Sequence, residues 1–295
     1  MLAYRHAFHA GNYADVLKHV VLVAVLRYLN QKDKPYWVID THAGAGGYGL
    51  DSRYATQHNE SATGIGRLWD EKDLPPTVAD YLALVKTFNG DASVLRRYPG
   101  SPEIVRALLR EGDRQRLFEL HPTDFAILEA NFGRDRRAHA EQVDGYTAIK
   151  SLLPPPPRRG LVFIDPSYEI KTDYTRVEDA VREGLQRFAQ GVFMVWIPVL
   201  TRREPQLLID RLKRVAPGEW LHLRLTVAEP DAGGFGMLGS SVFVVNPPWV
   251  LRDQMRETLP ALKRLLGQYP GADFALESHA EPAPVAGVRR PLLKR

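Results

Sequence analysis

Four short apolar runs in this chain stop at a carboxylate: residues 37–40 at Asp40, 116–120 at Glu119, 138–143 at Asp144 and 161–164 at Asp165. Four to eight apolar residues closed by turn formers read as a buried strand. Segments of helical period lie between and after these runs, at 122–131, 176–189 and 204–215. Strand and helix in alternation require a parallel sheet with helices on both faces. In such a sheet, ligands bind outside the carboxyl ends of the strands. One acid at a strand end is unremarkable; four at successive strand ends describe the wall of a polar crevice.

The remaining chain extends this frame. Residues 13–29 carry Val16, Leu17, Val20, Val21, Val23, Ala24 and Leu26 at helical spacing, with Asn12 as a cap and Lys18 and His19 among the apolar positions. The nine positions before that helix hold two histidines, a tyrosine, an arginine and an asparagine, which reads as a binding segment. Residues 60–69 and 77–88 predict two helices, so 50–100 reads as an inserted small helical subdomain. Ser101-Pro102-Glu103 predicts a helix start with serine as the cap. Near the end, 191–197, 221–228 and 241–246 predict strands, the last two forming an antiparallel hairpin. A closing helix covers 249–266. The expected division is residues 1–49 and 101–277 as one α/β unit, 50–100 as the insertion, and 278–295, rich in Ala, Pro and Arg, as a disordered tail.

Composition bounds the partners. The chain lacks cysteine, which removes disulfides and thiolate zinc sites and fits a reducing cytoplasm. No apolar run approaches the roughly 20 residues of a membrane helix, so no membrane association is expected, nor a bound metal. The formal charge of +4 is concentrated beyond Glu281, where Arg289, Arg290, Lys294 and Arg295 stand. Global charge is thus weak support for a nucleic-acid partner, and local groups must carry that argument.

Two stretches carry chemistry. Asp40 is followed by Thr41-His42-Ala43-Gly44-Ala45-Gly46-Gly47, where glycines let backbone approach a ligand. A nicotinamide-dinucleotide unit would enter its helix directly and present an acid about 20 residues on; this chain does neither. Asp165-Pro166-Ser167-Tyr168-Glu169 joins an acid, the Pro166 carbonyl and an aromatic face, a set suited to a planar base with an exocyclic amino group. Glu119 would take ribose hydroxyls, Asp144 an adenine amino group, and the glycine turn a cationic amino-acid end.

Tyr4-Arg5-His6-Ala7-Phe8-His9-Ala10-Gly11-Asn12, Asp15-Val-Leu-Lys18-His19, the Asp40–Gly47 turn, Tyr98-Pro-Gly-Ser101-Pro102 and Asp165-Pro-Ser-Tyr-Glu169 together resemble the RlmJ family, adenine-N6 methyltransferases of 23S ribosomal RNA. The resemblance covers nearly the whole chain. It implies a Rossmann-like class I methyltransferase sheet with a terminal antiparallel strand, S-adenosylmethionine as methyl donor, and a monomer in the cytoplasm. Carried over by position, Lys18, His19, His42, Ser101, Glu119, Asp144, Gly145 and Asp165 would bind the cofactor. Asp165, Pro166 and Tyr168 would do the chemistry, and Tyr4 and Tyr168 would contact RNA. The family pattern has proline where this chain has Ser167. An N6-adenine DNA methyltransferase and a non-catalytic RNA-binding protein of the same fold are the alternatives.

Overall fold

In the computed structural model, residues 5–51, 59–90, 93–230 and 236–279 are described. Five strands form the parallel part of the main sheet: β1 (Trp37–Asp40), β4 (Arg114–Phe118), β5 (Ala138–Glu141), β6 (Gly160–Ile164) and β7 (Val192–Val199). Three more continue it with antiparallel pairing: β8 (Trp220–Thr226), β9 (Gly239–Val245) and β10 (Asp273–His279). The order is β10-β8-β9-β7-β6-β1-β4-β5, so β9 inserts between β7 and β8. β2 (Gly47–Gly49) and β3 (Arg97–Pro99) make a separate antiparallel ribbon.

β1 is the switch point, flanked by β4 and β6 in parallel register. The chain then leaves toward opposite edges, which opens a crevice at the carboxyl end of β1. Alternation across the pleat covers both faces. On β6, Leu161 and Phe163 join one buried cluster, Val162 and Ile164 the other. All five β6 residues are buried, which explains its unbroken apolar run. Each large apolar side chain so placed contributes roughly 1.5–3 kcal/mol.

The first face is covered by α1 (Tyr13–Asn30) and α4 (Ser101–Leu108), the second by α6 (Gly145–Leu152), α7 (Thr172–Arg187) and α8 (Glu204–Val215). α5 (Pro122–Phe132) packs beside β5. α1 is buried almost around its whole circumference because α9 (Leu251–Leu266) and the segment 59–90 lie against its outer side. Asn12 caps α1, accepting from the N–H groups of Ala14 and Asp15 at 2.9 and 3.0 Å, as its sequence position predicts.

Segment 59–90 contains α2 (Glu60–Thr63), a 3-10 turn (Ile65–Leu68) and α3 (Pro76–Phe88). The helix expected over 60–69 breaks at Gly64. There the backbone runs so close to Gly11 that an added Cβ would stand 2.0 Å from the Gly11 carbonyl oxygen, while Ile65 N–H donates to that oxygen at 2.8 Å. Ile65, Leu68, Val78, Tyr81 and Val85 enter the same buried cluster as α1, α4 and α9.

Two further sequence expectations are corrected. Ser101 is not the cap of α4; Gly100 holds that position and Ser101 is the first helical residue. Its hydroxyl is used elsewhere. A strand over 273–279 was not foreseen, and it takes Ser278 and His279, expected in the tail, into the sheet opposite Leu221 and Trp220. β10 is an edge strand whose residues are only partly buried, so its sequence lacks an apolar run. Residues 280–295 lie outside the described residues.

Candidate active site

The crevice at the end of β1 opens into a cavity of about 420 Å³. Local hydrogen bonds hold its floor. Thr41 donates through its N–H and its hydroxyl to the Phe163 carbonyl, at 3.1 and 3.0 Å. Ala43 N–H donates to the Phe118 carbonyl at 2.8 Å. The turn after β1 is thus tied to the ends of both neighbouring strands. Gly44 takes a left-handed conformation there, φ +58°, and its N–H donates to Glu119 Oε2 at 2.8 Å. His121 N–H donates to the other Glu119 oxygen at 2.7 Å. Burial raises the Glu119 pKa above the usual range and these two donors oppose the rise.

Asp144 caps α6, accepting from Tyr146 N–H at 3.0 Å, and also pairs with Arg176. Arg176 lies over the Tyr146 ring, 4.3 Å from its centroid. Gly145 passes Thr41 so closely that a Cβ would meet the Thr41 carbonyl oxygen at 2.1 Å. His42 approaches Tyr146 edge-on at 4.8 Å, and burial lowers its pKa to about 4, which keeps it neutral. Ser101 Oγ donates to Asp40 Oδ2 at 2.6 Å. With that proton committed, Ser101 offers lone pairs to the cavity. Asp40 itself is fully buried; burial raises its pKa to about 7, the Ser101 bond opposes this, and the Asp165 charge adds to it.

On the other side stands Asp165, 13% exposed, with its Oδ2 2.6 Å from Lys18 Nζ. Lys18 is also 2.8 Å from Asp15 Oδ1. Burial opposes the ammonium charge, but the carboxylates of Asp15 and Asp165 outweigh it and raise the Lys18 pKa. Burial raises the Asp165 pKa, with Lys18 pulling the other way. Asp15 also accepts from Gly11 N–H at 2.8 Å and lies 2.9 Å from His6 Nε2, which ties the N-terminal block to the same cluster. His19 Nδ1 is 2.7 Å from the Tyr98 hydroxyl, and burial lowers its pKa to about 3. Tyr168 sits at φ +54°, a conformation uncommon outside glycine. Its hydroxyl donates to the Trp196 carbonyl at 2.7 Å and its ring packs on Tyr174 at 4.7 Å.

Lys18, His19, His42, Ser101, Glu119, Asp144, Gly145, Asp165, Pro166 and Tyr168, all singled out from sequence, border this one cavity. Tyr4 lies outside the described residues. Asp40 lies beneath Ser101 rather than in the lining. Sequence reasoning missed Asp173, Arg176, Trp196 and Arg202, which also line it. Arg176 and Trp196 fall inside a helix and a strand, where nothing local separates them from solvated or core positions. His121 Nδ1 and Tyr146 Oη are buried, border the cavity and have no protein hydrogen-bond partner among the described residues. Such atoms call for a ligand or solvent partner. Among the described residues, no group of three His, Asp or Glu is placed to hold a metal ion.

A family model described as "Ribosomal RNA large subunit methyltransferase D, RlmJ" matches residues 33–275. The chain belongs to the RlmJ family. It is 47% identical over 262 residues to "Ribosomal RNA large subunit methyltransferase J" of Escherichia coli K12, covering 89% of this chain and 93% of that protein. The protein of the same name from Haemophilus influenzae is 45% identical over 266 residues, covering 90% and 94%. A solved structure from Legionella pneumophila superposes with a TM-score of 0.85 at 33% identity, covering 92% of this chain and 99% of the other. The RlmJ match extends through the glycine turn, the 59–90 segment and the Asp165 loop.

Proposed function

We propose that this chain transfers a methyl group from S-adenosylmethionine to the N6 amino group of an adenine in 23S ribosomal RNA. The observation that carries the reading is that Asp165 opens into the same cavity as Glu119, Asp144 and Ser101. One end of that cavity suits a nucleoside with a cationic amino-acid tail; the other suits a base with an amino group. Membership of the RlmJ family and the names of the Escherichia coli and Haemophilus influenzae relatives support an RNA substrate of the large ribosomal subunit.

The residues present fit the cofactor. Glu119 would accept from the ribose hydroxyls, and Asp144 from the adenine amino group, with the Gly145 backbone alongside. Ser101, its proton held by Asp40, would accept from the α-ammonium group. The bound cofactor supplies an electrophilic methyl on a sulfonium. Neutral His19 and His42 add no positive charge beside it.

At the other end, an adenine N6 lone pair is delocalised into the ring and is a weak nucleophile. Asp165 and the Pro166 carbonyl would accept the two N6 hydrogens and turn the lone pair toward the methyl. Tyr168, held by its bond to Trp196, would support the ring of a base drawn out of its stack. Transfer then relies on positioning and on charges set before the base arrives. Lys18 pairs with Asp165 and opposes the rise that burial imposes on its pKa, so it favours the carboxylate form that would accept. The N6 proton leaves late, to Asp165, because the methylated amine is strongly acidic.

The test is methyl transfer from labelled S-adenosylmethionine to protein-free 23S rRNA, followed by digestion to nucleosides. Label in N6-methyladenosine is the expected result. Cofactor binding with label absent from RNA but present in DNA would overturn the substrate and keep the reaction. Failure to bind the cofactor would overturn the roles of Glu119, Asp144 and Ser101 together.

A further inference from the structure

The cavity lining carries seven carboxylates, among them Glu119, Asp124, Asp144 and Asp173. An anionic polynucleotide is repelled by such a lining unless cations meet its backbone at the rim. Most of the candidate cations are already committed. Lys18 pairs with Asp15 and Asp165, and Arg176 with Asp144. Arg5, close by, pairs with Asp124 at 3.2 Å, and Lys171 pairs with Glu204 at 3.0 Å. Arg202 differs: it lines the cavity, is exposed, and has no carboxylate of the described residues within 4 Å, its charge reaching the outer Glu204 that Lys171 already holds.

Its place in the fold gives this freedom a direction. Trp196 and Pro198 alternate on strand β7, which ends at Val199; Leu200 and Arg202 follow in the bend that leads to α8, and all four line the cavity. Trp196 and Pro198 therefore share one face of the strand. Trp196 is half-buried, and beyond it burial falls from Pro198, buried, through Leu200, half-buried, to Arg202, exposed. The stripe begins beside the reacting carboxylate, because Ile164 pairs with Val195 and Tyr168 donates to the Trp196 carbonyl. It is therefore an apolar wall running from Asp165 to the rim and ending in a guanidinium. At about 3.3 Å per residue, Trp196 to Leu200 spans roughly 13 Å, room for a base and its sugar between the carboxylate and the arginine.

We propose that Arg202 binds the backbone phosphate next to the base that enters the Asp165 end of the cavity, with the Trp196–Pro198–Leu200 stripe as the wall along which the nucleotide lies. This rests on the RNA reading above and adds the group that anchors the strand. A guanidinium fork matches phosphate oxygens bidentately and needs no base identity to do so.

The experiment measures methylation of 23S rRNA across salt concentrations for the wild-type chain, Arg202→Ala, Arg202→Lys and the neighbouring Arg203→Ala. Arg203 is exposed and outside the cavity lining. Arg202→Ala is expected to raise the RNA KM roughly tenfold or more at low salt and to reduce the log KM against log salt slope by about 0.7–0.9. The KM for S-adenosylmethionine and kcat at saturating RNA stay within about twofold, which also shows that the variant folds. Arg202→Lys recovers part of the slope, and Arg203→Ala leaves it unchanged. An unchanged slope in Arg202→Ala, or equal losses in Arg202→Ala and Arg203→Ala, overturns the assignment while the RNA reading stands. A wild-type chain that binds the cofactor but leaves RNA unmethylated overturns both.

Discussion

Asp40→Asn is the substitution whose effect follows most directly from geometry. Asp40 is fully buried, accepts from Ser101 Oγ at 2.6 Å and from His42 N–H at 3.2 Å, and titrates at about 7 instead of 3.8. A buried acid with a raised pKa keeps its proton in the folded state after the unfolded chain has lost it. Stability from this group is present below the unfolded value and falls as pH rises, until the folded value is passed. The window is thus pH 3.8 to about 7. At 1.36 kcal/mol per unit, the loss totals about 4 kcal/mol. Asparagine keeps an acceptor for His42 N–H and can donate to Ser101, but it does not titrate. The stability of Asp40→Asn relative to wild type should therefore rise by about 3 kcal/mol between pH 5 and pH 8, read from urea unfolding midpoints at each pH. Cofactor affinity should fall in the same variant, since Ser101 then holds its proton differently; gain of stability with loss of binding is the usual trade at a functional site. Two urea curves that stay parallel to within about 1 kcal/mol across that range would show that Asp40 is not the titrating group and would refute the reasoning.

Other predictions concern single positions. Asp165→Ala should abolish methyl transfer while S-adenosylmethionine binding, followed by calorimetry, persists; retained turnover would remove Asp165 from its role. Glu119→Gln should weaken cofactor binding about 10- to 100-fold, because a charged acceptor of ribose hydroxyls is lost. Gly145→Ala should cost several kcal/mol in stability and bring cofactor binding below detection, since its Cβ would stand 2.1 Å from a backbone oxygen that has no room to retreat. Phe163→Ala, at a fully buried site on β6, should cost about 3–5 kcal/mol in unfolding free energy with the cavity residues still in place.

The parallel core was legible because its strands are buried on both faces. β6 reads as an apolar run for that reason, and α7 and α8 show one apolar face each because only one side is covered. Edge elements were harder to see. β10 is paired on one side and partly exposed, so Asp273–His279 shows no strand pattern of its own. The break of 60–69 at Gly64 arises from contact with Gly11, far away in sequence. Ser101 has the residue type of a cap, yet Asp40 takes its hydroxyl, and only the approach of β1 to α4 decides between the two.

Local chemistry in the sequence determined which residues could act: acids at strand ends, glycines where backbone must come close, and an aromatic after Asp165-Pro166. Those signals survive in one dimension because each depends on a few neighbouring residues. Tertiary structure alone decided how they are wired. It set Lys18 between Asp15 and Asp165, placed Arg176 on Asp144, and turned Asp40 into a buried acid near neutrality. It also left Arg202 at the rim with no ion pair among the described residues. The charge and proton affinity of each group depend on burial and on partners many residues away, and only the packed sheet brings those partners together.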